Sequence, residues 1–128
     1  MRILLDTHTL YWFIEGHPNL TQLATTMIGN PNNEILISPA SYWEMAIKIS
    51  LGKWKLNQSY QHFIDIALVQ YEFSILPVTP VHTEGLIKLP YLHRDPFDRL
   101  IIAQSIIENV PIVSADTQFD AYGINRVW

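Results

Sequence analysis

The sequence predicts an α/β fold, with a central, mainly parallel sheet of four or five strands covered by helices on both faces. Two observations predict it. Short apolar runs alternate with amphipathic stretches from Ile3 to Val127, and no repeat, linker or low-complexity tract interrupts the series. Strand alternating with helix implies parallel pairing, because parallel neighbours need a crossover and a helix supplies one.

Arg2 to Leu5 is an apolar run ending in Asp6 and reads as the first strand. Leu10, Phe13 and Ile14 then recur at helical spacing until Gly16 and Pro18 stop the pattern. A second helix is expected over Thr21 to Ile28, closed by the turn chemistry of Gly29-Asn30-Pro31-Asn32-Asn33, and Glu34 to Ile37 is a buried strand. Ser38 and Pro39 open the next helix as N-cap and first-turn proline; it runs from Ala40 through Leu51 and stops at Gly52. Tyr60 to Tyr71 predicts a helix, Ser74 to Val78 a strand with Pro77 near its end, and Pro80 to Leu89 a short helix. Asp95, Pro96 and Asp98 combine a cap, a first-position proline and an acid at the positive end of the dipole, opening a helix that reaches Asn109. Pro111 to Ser114 is a short strand followed by Asp116, and Arg126 to Trp128 is expected as an edge strand.

The 128 residues suit one domain spanning 1–128, and 48% apolar content predicts a folded chain. A formal charge of -4 argues against a grip on nucleic acid by bulk electrostatics, so any such grip must be local, and net charge alone does not decide the matter. Absence of cysteine removes disulfides, thiolate zinc sites and cysteine nucleophiles. No apolar run approaches the roughly 20 residues of a membrane span, and Asp6 arrives too early for a signal peptide, so a cytoplasmic protein without membrane contact is expected. His8, His17, His62, His82 and His93 show no paired ligand spacing, which argues against zinc; His8 and His93 read as surface or capping groups by default, with a place near the pocket as the other reading. Trp12, Phe13, Tyr42 and Trp43 read as core or dimer contacts.

Open parallel sheets bind ligands beyond the strand C-termini, which directs attention to Asp6 and Asp116. A helix starting nearby could bring Asp98 to the same rim. Three converging carboxylates resist joint ionisation unless a cation lies between them, and oxygen-only ligation favours Mg²⁺ or Mn²⁺ over zinc. Glu44 is the fourth candidate, on a helical face with Ala40, Ile47 and Leu51, although taken alone its simplest role is an i,i+4 ion pair with Lys48. Each other acid also has an ordinary role: Asp6 as a cap, Asp98 as a first-turn acid, Asp116 in a turn. Asp95 is assigned to capping and Asp120 to the surface. Lys53-Trp54-Lys55 suits base stacking with phosphate pairing, or is an exposed loop with a packed tryptophan.

Four segments then stand in order: Leu4-Leu5-Asp6-Thr7-His8; Ser41-Tyr42-Trp43-Glu44 with Ile47-Lys48 and Leu51-Gly52-Lys53; His93-Arg94-Asp95-Pro96-Phe97-Asp98-Arg99-Leu100-Ile101-Ile102-Ala103-Gln104; and Ser114-Ala115-Asp116-Thr117-Gln118-Phe119. Over nearly the whole chain this resembles the PIN-domain family, especially the VapC-like toxins of bacterial type II toxin–antitoxin systems. The resemblance implies a three-layer α/β/α PIN-like fold and metal-dependent hydrolysis of RNA phosphodiester bonds. Asp6, Glu44, Asp98 and Asp116 would hold Mg²⁺ or Mn²⁺, one of them accepting the proton of the attacking water. Thr7 and Ser114 would be hydroxyls that orient carboxylates, Ser114 standing where relatives often carry threonine. Arg99 is a phosphate contact or a surface group, the two readings being even. A small cognate antitoxin and a homodimer are also implied. Two alternatives stay open: a catalytically inactive interaction module on the same scaffold, and a phosphatase or phosphoacceptor domain using Asp6. The second lacks an Asp-x-Asp pair and any Gly-x-x-x-x-Gly-Lys loop.

Overall fold

The computed structural model describes residues 1–128. Strands β1 (Arg2–Leu5), β2 (Glu34–Ile37), β3 (Ser74–Ile75), β4 (Ile112–Val113) and β5 (Arg126–Val127) form one sheet in the order β3-β2-β1-β4-β5. Every pairing is parallel. The connections are helices α1 (Thr7–Glu15), α2 (Gln22–Gly29), α3 (Pro39–Ser50), α4 (Tyr60–Asp65), α5 (Pro80–Lys88) and α6 (Pro96–Glu108). None is long and apolar enough to cross a membrane.

The period-2 alternation of side chains along each strand sorts the core into two layers. Ile3, Leu5, Ile35, Ile37 and Val113 face one cluster, with Leu10, Ala24, Ile28, Phe63 and Phe73 from the connections on that side. Leu4, Leu36 and Ile112 face the other, with Leu89, Ile101, Ile102 and Phe119. Burial on both faces explains why the strands read as unbroken apolar runs. Helix α3 lies at the seam, giving Met45 to the first cluster and Ala40 to the second.

The strand order reverses at β1: β2 and β3 are laid on one side of it, β4 and β5 on the other. A crevice therefore opens beyond the ends of β1 and β4, the place where such sheets take ligands.

Three elements differ from expectation. β3 ends at Ile75 rather than Val78, because Leu76 makes the last ladder bond, its N–H donating to Ile37 O at 2.8 Å, and Pro77 has no N–H to follow it. The helix expected to run to Tyr71 ends as α at Asp65 and continues as a π-helical segment over Ile66–Gln70, with Tyr71 N–H bonded to Ile66 O at 2.9 Å. Past Asp116 lies a 3-10 helix, Thr117–Tyr122, closed by Gly123 at φ 71°, where the sequence pattern suggests no regular element.

The α5–α6 pair is locked by a buried histidine. His82 Nδ1 accepts from Thr79 N–H at 3.0 Å, so the neutral ring carries its proton on Nε2 and donates it to Glu108 at 2.9 Å. Glu108 also lies 3.7 Å from Arg2.

Candidate functional site

Asp6 caps α1, which places its carboxyl at the β1 end of the crevice. Its Oδ1 accepts from Thr9 N–H at 2.8 Å and its Oδ2 from the Ser114 hydroxyl at 2.5 Å. Ser114, directly after β4, in turn accepts Asp116 N–H at 3.0 Å, and Asp116 Oδ1 caps the 3-10 helix through Gln118 N–H at 2.9 Å. One hydroxyl thus ties the ends of two adjacent strands and two acids. Asp98 stands in the first turn of α6, whose cap is Asp95; the Asp95 Oδ1 accepts from Phe97 and Asp98 N–H, both at 2.9 Å. Glu44 reaches in from α3, 2% exposed, with Oε2 paired to Lys48 and Oε1 buried without a partner.

Asp6, Glu44, Asp98 and Asp116 all line one cavity of about 500 Å³, together with His8, Trp12, Lys48, His93, Asp95, Ala115 and Gln118. The electrostatics reflect that crowding. Burial raises Asp6 above the ordinary aspartate value against the lowering effect of its Ser114 and Thr9 bonds. Asp98 is pushed up to about 8, by desolvation first and then by Asp95, Asp6, Glu44 and Asp116.

The structure brings the four predicted acids to one cavity but does not draw any three acids or histidines close enough to share an ion. Glu44 leans on Lys48, and Asp6 has both oxygens engaged. The donor chemistry nevertheless fits a hard divalent cation: every acid is an oxygen donor, Glu44 Oε1 is a buried orphan, and Asp98 is raised by desolvation and then by the surrounding acids, whose repulsion a cation would offset.

The other sequence candidates divide. Ser114 contacts Asp6 directly. The Thr7 hydroxyl is buried and points instead to Ser41 at 3.2 Å, so it touches none of the four carboxylates. Arg99, expected at a phosphate or on the surface, is at neither. It is 6% exposed, donates to Pro90 O at 2.9 Å and Leu89 O at 3.4 Å, and lies over the Tyr91 ring at 4.2 Å. The first turn of α6 faces the 89–93 segment, so a side chain there is captured by backbone carbonyls. Lys53, Trp54 and Lys55 line an open groove of about 580 Å³ with Tyr11, and it shares His8 and Lys48 with the acidic cavity. Trp54 stacks on His8 with centroids 5.0 Å apart and also packs against the core. Among the aromatic candidates, Phe13 and Tyr42 pack on the core, Trp12 lines the cavity, and Trp43 is exposed beside Phe97.

Sequence reasoning missed Thr9, whose N–H and hydroxyl join Asp6 to Val113 O, and Tyr122, and took His93 no further than a surface or capping group or a neighbour of the site. His93 is 10% exposed, its Nε2 is 3.7 Å from Asp98 Oδ2, and its Nδ1 meets the Tyr122 hydroxyl at 2.6 Å. Tyr122 is distant in sequence from both, and only the 3-10 helix brings it back.

A family model described as the PIN domain matches residues 3–125. Among solved structures, VapBC2 from Rickettsia felis bound to a promoter DNA fragment has a chain similar to this one at 22% identity and TM-score 0.75, covering 99% of this chain and 98% of that one. FitAcB from Neisseria gonorrhoeae is similar at 17% identity and TM-score 0.69, covering 98% and 96%. VapBC-1 from nontypeable Haemophilus influenzae is similar at 17% identity and TM-score 0.69, covering 99% and 97%. These likenesses establish a shared fold. No curated protein matches the chain.

Proposed function

The chain belongs to the PIN domain family, and on that premise we propose that it is a metal-dependent endoribonuclease, the toxin of a toxin–antitoxin pair. The observation that carries the reading is the gathering of Asp6, Glu44, Asp98 and Asp116 around one cavity at the strand-order reversal.

Those four residues would hold Mg²⁺ or Mn²⁺, which when bound supplies Lewis acidity that activates water and offsets charge on the phosphate. The chain's own groups do the arranging. Ser114 and the Thr9 N–H fix the Asp6 carboxylate, so its direction is set before any substrate arrives. Lys48 holds one oxygen of Glu44 and leaves the other buried without a partner. Lys53 and Lys55 would take RNA phosphates in the adjoining groove, with Trp54 beside them for a base. Oxygens of Asp6 already engaged by two donors make it a poor phosphoacceptor, which weighs against a phosphatase reading. An inactive interaction module draws some support from the Glu44–Lys48 pair, since it holds one acid away from an ion. The VapBC2 and FitAcB assemblies among its structural neighbours support a small antitoxin partner; cover of this cavity by that partner, and a homodimer, rest on the family resemblance alone.

The test is purified protein with mixed RNA, with and without Mg²⁺, Mn²⁺ or chelator, beside Asp6→Asn and Asp98→Asn. Cleavage should require the ion and fall on the order of 10²-fold or more in each folded variant. Cutting that ignores chelation, or survives either substitution, contradicts the reading; no cutting by the parent protein favours the inactive module.

A further inference from the structure

His93 is a largely covered ring on the cavity lining, with one nitrogen satisfied and the other not. Its Nδ1 is 2.6 Å from the Tyr122 hydroxyl, while its Nε2 is sealed from solvent without a hydrogen-bond partner, 3.7 Å from Asp98 Oδ2. The proton on this ring can be assigned by counting donors. Tyr122 oxygen receives the His93 backbone N–H at 3.2 Å and Arg99 Nη1–H at 3.4 Å. Neither of those groups can accept, so the two lone pairs of the phenol oxygen are taken and its own proton must be donated. His93 Nδ1 is the acceptor in reach. The neutral ring therefore carries its proton on Nε2, on the side of Asp98.

We propose that His93 is a positioning residue for Asp98, with Tyr122 and Arg99 holding the imidazole as the Nε2–H tautomer so that this N–H orients the Asp98 carboxylate in the cavity. The support is layered. Arg99 ties down Leu89 and Pro90 and stacks on Tyr91, fixing the segment that carries His93; Tyr122 sets the proton; the proton faces the acid. The 3.7 Å gap closes with a small rotation of the Asp98 side chain, whose oxygens have no other hydrogen-bond partner. His82 shows the contrasting case: an identical tautomer, outside the cavity lining, whose Nε2–H already ends on Glu108 at 2.9 Å. A histidine that served packing alone would be expected to end in the same way.

The catalytic consequence rests on the ribonuclease reading, whereas the tautomer and its contact do not, so nitrogen-15 and proton NMR of the ion-free protein is the first arm. The neutral His93 ring should show a protonated, exchange-protected Nε2 whose signal moves in Asp98→Asn and loses protection in Tyr122→Phe. A proton on Nδ1, or an Nε2–H signal unmoved by Asp98→Asn, overturns the proposal. The second arm is cleavage kinetics. His93→Phe should lower kcat roughly 10- to 100-fold with KM for RNA within about twofold, and His93→Gln, which keeps a donor near the Nε2 position, should recover most of it. An undiminished kcat in folded His93→Phe also overturns the proposal. If the parent protein cuts no RNA, the ribonuclease reading fails and the NMR arm alone decides.

Discussion

Two buried polar regions of this fold are built alike and finished differently. In the α5–α6 latch, His82 has a donor on one nitrogen and an acceptor on the other, and Glu108 reaches both His82 and Arg2. At the strand-end cavity, His93 Nε2 and Glu44 Oε1 are buried without partners, and Asp98 is surrounded by four other acids. Burying an unpaired polar group costs about 1–3 kcal/mol, so a chain retains such groups only where something else offsets them. The closed network reads as architecture; the open one reads as a place reserved for a ligand.

The largest expected effect breaks the comparison at Asp98. Its value of about 8 in the folded chain stands against an ordinary 3.8. Between those values the folded chain keeps a proton that the unfolded chain has lost, so stability contributed by the proton is full below about 4 and is lost as pH rises through about 8. Asp6, also raised by burial, acts with the same sign. The ion-free protein should therefore lose on the order of 5 °C or more in Tm between about pH 5 and pH 9. Asp98→Asn should flatten the fall and be the more stable protein at the alkaline end. Mg²⁺ or Mn²⁺ should restore the parent at high pH and do little for the variant. A parent Tm that rises over this interval, or a variant with the same slope, would mean that the cavity carries no such strain.

The reverse manipulation sharpens the contrast at the latch. His82→Leu keeps the bulk but strands Glu108 and the Thr79 N–H, at an expected cost of about 2 kcal/mol in urea unfolding. RNA cleavage at a temperature where the variant is folded should stay within about twofold of the parent. Cleavage that drops with stability preserved would move His82 into the functional half of the molecule.

How much of this was legible in the sequence follows the same division. The strands, the faces they present and the opening of α6 could be read because each depends on neighbours in the chain: apolar runs, caps and the Asp95-Pro96 start. Asp6, Asp98 and Asp116 could be placed near strand ends and a helix start for the same reason, and Glu44 on one face of α3. What could not be read depends on long-range closure. Thr9 meets Val113 O across 104 residues and Tyr122 meets His93 across 29, while the Ser114 contact with Asp6 across 108 was legible only through the family resemblance. The position of Arg99 is illegible because nothing local says that the carbonyls of Leu89 and Pro90 turn back over the first turn of α6. The π-helical segment after Asp65 leaves no mark that distinguishes it from ordinary helix.

The smallest expected effect lies at the edge of the cavity, in the groove of Lys53 and Lys55. Both lysines are exposed, so each pairs with phosphate through solvent-screened charge and contributes modestly. Trp54 is the weaker target, since it packs on the core and its removal would mix folding with binding. The useful variant is therefore Lys53→Ala with Lys55→Ala, placed in the Asp98→Asn background so that RNA is bound without being cut. Single-stranded RNA should bind about 3- to 10-fold more weakly at low salt, with the salt slope shallower by roughly 0.7 for each phosphate that no longer meets a lysine. At high salt the two proteins should converge. Equal affinity at low salt would assign the groove to something other than RNA and leave the acidic cavity, with Lys48 at its border, as the whole of the nucleic-acid site.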